Sequence, residues 1–182
     1  MNYETIWYSN LVKNCYFMNK KIMLFQKVIS VLVLSLLVAC SSSFNVKQLP
    51  AQGIDSRLFK VEQLQQKRET SLLAVQFSTE QWRWVQTDPL GAPIARLLLT
   101  KQGWQNDGFV MPNRQAQQLY AALATALNPT QPLFQFSDIQ QTTSGQIYSI
   151  NYQEVWRISQ QQNQFQITLT DGSQWRIEPL EQ

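Results

Sequence analysis

From Leu58 onward the chain runs in short stretches where apolar and polar residues alternate, and this period of two commits most of it to half-buried β-strands. Leu58 to Gln66 and Ser71 to Ser78 flank Lys67-Arg68-Glu69-Thr70 and read as a hairpin. Gln81 to Thr87 places Trp82 and Trp84 on one face. Asp88-Pro89-Leu90-Gly91 then has the Pro and Gly placement of a tight turn. Ile94 to Thr100 reads as the next strand, and Lys101-Gln102-Gly103 turns into Trp104 to Val110. Later, Gln146 to Tyr152 alternates, and so does Glu154 to Ser159 with Trp156 and Ile158. The clearest hairpin closes the chain, with Phe165, Ile167 and Leu169 on one face, Asp171-Gly172 as the turn, then Trp175 and Ile177.

One segment changes period. Asn113, after Pro112, is a sound N-cap, and Leu119, Leu123, Ala126 and Leu127 fall at helical spacing up to Asn128-Pro129. The order is therefore four or five strands, one helix, then about four strands. This predicts a mainly β fold with one helix (α+β): a curved antiparallel sheet or incomplete β-barrel with the helix against its concave side. A flat sheet with the helix packed on it fits the same periodicity. The 26 glutamines from Cys40 onward are scattered through strands and turns, so they read as uncharged polar surface.

The N-terminal part follows other rules. Asn19-Lys20-Lys21 precede Val28 to Val38, an eleven-residue run that is apolar except for Ser30 and Ser35. Spanning a bilayer takes about 20 apolar residues, so the run fits the h-region of a signal peptide. It ends in Leu37-Val38-Ala39-Cys40, which matches the lipobox of bacterial lipoproteins, and Ser41-Ser42-Ser43 follow. The expected organisation is a signal peptide over 1–39, a lipidated tether over 40–56 and a single β-rich domain over 57–182. Residues 1–17 have no role in this scheme, and Met18 or Met23 would begin a normal leader. Three acyl chains on Cys40 would make a stable anchor, since one chain alone holds only marginally. Gram-negative lipoproteins with Asp after the cysteine favour the inner membrane. Ser41 stands there instead, so the outer membrane, periplasmic face, is expected.

Charge follows the same division. The net +3 arises before Cys40, where Lys13, Lys20, Lys21 and Lys27 stand against Glu4, leaving eleven basic and eleven acidic residues after it. A neutral domain without a Lys/Arg block is a poor nucleic-acid partner.

Chemistry is sparse. The chain has no histidine, so the common general base, triad partner and zinc ligand are missing. Once Cys40 carries lipid no thiol remains, because Cys15 goes with the leader. No glycine-rich phosphate loop and no Ser-x-x-Lys pair is present. Asp88 reads as a turn residue, Asp107 lies beside Gly108, Asp138 in a loop and Asp171 in a hairpin turn, and each has an adequate structural reason. No enzyme, cofactor or metal is expected; a hydrolase would need a Ser or Asp cluster assembled by the fold. The salient feature is aromatic: Trp82, Trp84, Trp104, Trp156 and Trp175. They either fill the core or wall an apolar cavity.

The segment Ser71-Leu72-Leu73-Ala74-Val75-Gln76-Phe77, with Pro89-Leu90-Gly91 and Arg96-Leu97, resembles a family of uncharacterised Gram-negative lipoproteins encoded beside aryl-polyene or related biosynthesis genes. The likeness covers most of residues 60–160, and that family in turn resembles the lipoprotein-localisation proteins LolA and LolB. It implies a half-open barrel with an apolar interior that binds or passes on a lipidic or polyene-like molecule without catalysis. That fold uses several helices as a lid where one is read here. Leu73, Val75, Trp82, Trp84, Leu97, Leu99, Phe165, Ile167 and Trp175 are the candidate cavity residues, with the inward face left open. The rival expectation is a structural or assembly subunit that holds an envelope partner by a sheet edge or aromatic surface.

Overall fold

The computed structural model describes residues 44–65 and 69–180; the leader, Cys40 and Lys67-Arg68 lie outside the described residues. Five strands, β1 (Ser56–Gln63), β2 (Thr70–Phe77), β3 (Gln81–Thr87), β4 (Pro93–Thr100) and β5 (Gly103–Asn106), form a meander. Helix α1 (Arg114–Leu127) follows, then a second meander: β6 (Asp138–Thr142), β7 (Gly145–Ile150), β8 (Gln153–Gln161), β9 (Gln164–Leu169) and β10 (Gln174–Leu180). Antiparallel pairing of β1 with β10 joins the two into one ten-stranded open sheet, ordered β5-β4-β3-β2-β1-β10-β9-β8-β7-β6. The chain therefore leaves one edge of the sheet at β5, crosses its face as α1 and re-enters at the other edge as β6.

Alternation decides which face is buried. Phe59 stands opposite Leu73, Val75 opposite Trp84 and Trp84 opposite Leu97. On the other half Val61 meets Ile177, Trp175 meets Ile167 and Leu169 meets Trp156. All of these are buried, so one apolar face runs across the sheet.

The sheet curves around its helix. Tyr120 of α1 stacks on Trp84 of β3 at 5.3 Å, while the α1 backbone comes within 8 Å of β9. Strands β3 and β9 are four places apart, about 19 Å on a flat sheet, whereas a helix with its side chains is about 10–12 Å across. Tyr120 also meets Trp104 of β5 at 6.4 Å, and β5 is six places, about 29 Å on a flat sheet, from β9, more than the ~21 Å length of a 14-residue helix, so the sheet is curved and the flat alternative is removed. Ala116, Ala121, Ala122 and Ala124 are buried in α1 and let its backbone close on the strands. The helix keeps its expected limits, with the Asn113 side chain accepting from Ala116 N at 3.0 Å.

Four segments depart from expectation. Asp138, read as a loop residue, opens β6, a strand exposed on both faces and hence without the alternation that reveals strands. The predicted strand Trp104 to Val110 stops at Asn106, because the Asn106 side chain turns back to the carbonyls of Gly108 and Val110. Asn151 and Tyr152 form the turn after β7, both with positive φ, and do not extend that strand. Residues 44–52, read as part of a tether, lie on the domain. Phe44, Val46 and Leu49 pack against the core, Val46 pairs with Phe134, and Gln52 bonds to Asn128 at 2.7 Å. This strap and the Leu133–Phe136 stretch cover the part of the inner face that α1 leaves open.

Candidate functional site

The β1–β2, β3–β4, β5–α1, β7–β8 and β9–β10 connections all fall at one end of the sheet, here termed the loop end. A cleft of about 760 Å³ lies there, between the start of α1 and strands β1, β2, β3 and β10. Trp175, Leu119, Ile94 and Pro89 supply its apolar surface. Gln63, Glu69, Thr70, Ser71, Gln86, Asp88, Asn113 and Gln115 supply hydrogen-bonding groups. A more open groove of about 670 Å³ sits at the opposite end, between Ile54–Leu58 and Pro179–Leu180.

Two polar chains shape the cleft. In the first, the Tyr120 hydroxyl donates to Gln86 Oε1 at 2.8 Å, and Gln86 Nε2 donates to Ser71 Oγ at 2.7 Å. Ser71 Oγ reaches the Val61 carbonyl at 3.4 Å. All three side chains are buried, and burial pushes the Tyr120 hydroxyl far above its ordinary 10.0. Gln86 and Ser71 occupy inward positions of β3 and β2 that alternation reserves for apolar residues, so each is admitted because the other satisfies it. This break in pattern is the signal that the sequence reading passed over.

In the second chain, Trp175 Nε1 donates to Ser173 Oγ at 2.9 Å, and that hydroxyl donates to Asp171 Oδ1 at 2.6 Å. Gln115 Nε2 donates to Asp171 Oδ2 at 2.9 Å, tying the β9–β10 turn to the first turn of α1. The Ser173 hydroxyl, then the Gln115 amide, hold the Asp171 carboxyl below its ordinary 3.8 despite partial burial.

The remaining aspartates are separate. Asp88 Oδ1 accepts from the backbone N–H groups of Leu90 and Ala92 and closes the β3–β4 turn. Asp107 bonds Arg83 at 2.7 Å and Arg96 at 3.2 Å on the outer face, and the Arg83 contact chiefly lowers its pKa. Among the described residues no group of three or more Asp, Glu, His or Cys converges on one point.

The nine residues singled out from the sequence, Leu73, Val75, Trp82, Trp84, Leu97, Leu99, Phe165, Ile167 and Trp175, share the inner face. Trp175 lines the cleft. The other eight stand in the packed core behind it, because α1, the strap and the 133–136 stretch fill the concave side. The indole N–H groups of Trp82, Trp84, Trp104 and Trp156 are buried there without an acceptor. Exposed apolar side chains gather at the loop end: Leu90 in the β3–β4 turn, Phe109 and Met111 before α1, and Tyr152 between β7 and β8.

No protein-family model matches the chain, and no curated protein is significantly similar to it.

Proposed function

We propose that the protein is an envelope lipoprotein, anchored through Cys40 to the periplasmic face of an outer membrane, that binds or passes on a lipidic or polyene-like molecule without transforming it. The observation that carries this reading is the cleft at the loop end, where Trp175, Leu119, Ile94 and Pro89 stand among polar side chains above a buried floor of Ser71 and Gln86. An amphiphile needs that combination, apolar contact along its length and fixed donors and acceptors at its polar end. The resemblance of Ser71–Phe77, Pro89-Leu90-Gly91 and Arg96-Leu97 to Gram-negative lipoproteins, a family that in turn resembles LolA and LolB, points the same way.

The test is lipid mass spectrometry on the purified Cys40→Ser chain, followed by uptake of a fluorescent fatty acid. Bound amphiphile is expected, with uptake lost in Gln63→Trp, where a bulky ring enters the cleft from its half-exposed rim beside Trp175. A chain that carries nothing, or a Gln63→Trp variant that takes up the probe unchanged, would refute the reading. The anchor is checked separately: Cys40→Ser should release the protein from membranes.

One observation favours a second reading, an assembly subunit. Strand β6 is a sheet edge exposed along its whole length, without Pro or Lys to discourage strand addition. Backbone cross-linking of β6 to another envelope protein, with no lipid bound, would select it.

A further inference from the structure

We infer, on the premise of the Cys40 anchor proposed above, that the domain rests on the bilayer loop end down, held in that orientation by a three-residue leash. Phe44 is fixed on the domain by ring contacts with Phe134 at 5.7 Å and Trp156 at 5.3 Å. Only Ser41, Ser42 and Ser43 separate it from Cys40, so the two Cα atoms stand at most about 14 Å apart.

The direction of the strap gives this limit its meaning. Val46 pairs antiparallel with Phe134, and Gln52 bonds to Asn128 just past the end of α1. Going back from Gln52 to Phe44 therefore climbs toward the loop end. Trp156, beside Phe44, lies in the outermost buried row there, three residues past the start of β8. From Trp156 to the far end of β8 is five residues, about 17 Å, before the next turn is counted. A leash of about 14 Å cannot pass that distance to put the opposite end on the membrane.

The side chains at the loop end suit such a contact. Leu90, Phe109, Met111 and Tyr152 project from three separate connections and are almost wholly exposed. Ile54 alone, of the large apolar side chains exposed among the described residues, belongs to the opposite end. Tyr152 sits in the two-residue β7–β8 turn at φ 61°, its N–H bonded to Ser137 Oγ at 2.9 Å and its ring left in solvent. Isolated apolar tips on separate loops match an interfacial bilayer region, where each side chain is buried individually, better than a flat protein partner. The cleft lies at the same end, so a guest leaving the membrane would meet it directly.

The experiment uses the lipidated mature chain in phosphatidylethanolamine/phosphatidylglycerol vesicles containing nitroxide-labelled lipid. Cys40 is the sole cysteine after the leader, so single reporter cysteines can be added at exposed sites: Phe109→Cys and Tyr152→Cys at the loop end, Gln102→Cys and Ser144→Cys at the other. Fluorophores at the first pair should lose emission to the nitroxide and shift to the blue, while those at the second pair keep their solution spectrum. A Gly/Ser insertion of about ten residues after Ser43, long enough to free the domain, combined with Phe109→Ser and Met111→Ser and read from the Tyr152→Cys reporter against Gln102→Cys and Ser144→Cys, should abolish the difference between the ends. Equal quenching at both ends, or stronger quenching at Gln102 and Ser144, overturns the orientation while leaving the anchor standing. Quenching at neither end in a vesicle-bound chain also overturns it and leaves the tips to a protein partner. A chain that does not stay on vesicles overturns the anchor, and the orientation falls with it.

Discussion

Tyr120→Phe isolates the buried chain beneath the cleft. The substitution removes one oxygen and keeps the ring that stacks on Trp84 at 5.3 Å and 10°. What it takes away is the donor to Gln86 Oε1, a bond of 2.8 Å between two buried side chains. A buried acceptor left without its donor costs about 1–3 kcal/mol. At roughly 4 °C per kcal/mol for a domain of this size, the midpoint of thermal unfolding should fall by roughly 4–12 °C. Adding Gln86→Leu should recover part of the loss, because the orphaned acceptor disappears, and the double-mutant cycle measures the coupling. The alkaline limb gives a second readout. The Tyr120 pKa is raised in the fold, so the stability linked to its neutral hydroxyl is whole below the ordinary 10.0 and is lost as pH climbs above it. The Phe variant should lack that share of the alkaline decline. Calorimetry and urea unfolding of the Cys40→Ser chain and its variants would decide the matter. A Tyr120→Phe chain within about 0.5 kcal/mol of its parent would mean that water from the cleft reaches Gln86, and the dry-floor reasoning would be wrong.

Asp171→Asn keeps the shape of the β9–β10 turn but weakens its bonds to Ser173 and Gln115. Because the native carboxyl is held below its ordinary value, its contribution is present above pH 3.8 and lost as pH falls below that point. The variant should be less stable near neutrality, and the difference should close in acid, as followed by urea unfolding across pH. Gly145→Ala should cost about 2–4 kcal/mol. The added Cβ would meet the Ile158 carbonyl and the backbone of Ser159, at a φ of +151° that side chains rarely adopt. An unchanged urea midpoint would show that β7 is free to move away from β8.

Some of the site was open to a reader of the sequence. Asn113 and Asn128-Pro129 bracket α1, and Asp88-Pro89-Leu90-Gly91 and Asp171-Gly172 are turns in the structure, because caps and turns depend on residues within a few positions of one another. Period two placed Trp82 with Trp84, and Phe165 with Ile167, on common faces, since successive side chains of a strand point to opposite sides. Ser71 and Gln86 each interrupt that pattern, but their bond crosses from β2 to β3 and is completed by a tyrosine on α1. Nothing local in the sequence joins the three.

Local physics, then, determined most of the strands, the helix and the turns, because each rests on neighbours along the chain. Tertiary structure decided the rest: that β1 pairs with β10, that the sheet bends around one helix, that Phe44 to Leu49 lies on the core, and that β6 forms at all. These outcomes depend on groups far apart in sequence, whose proximity is settled only when one continuous apolar face has to be covered by a single helix and two extended stretches.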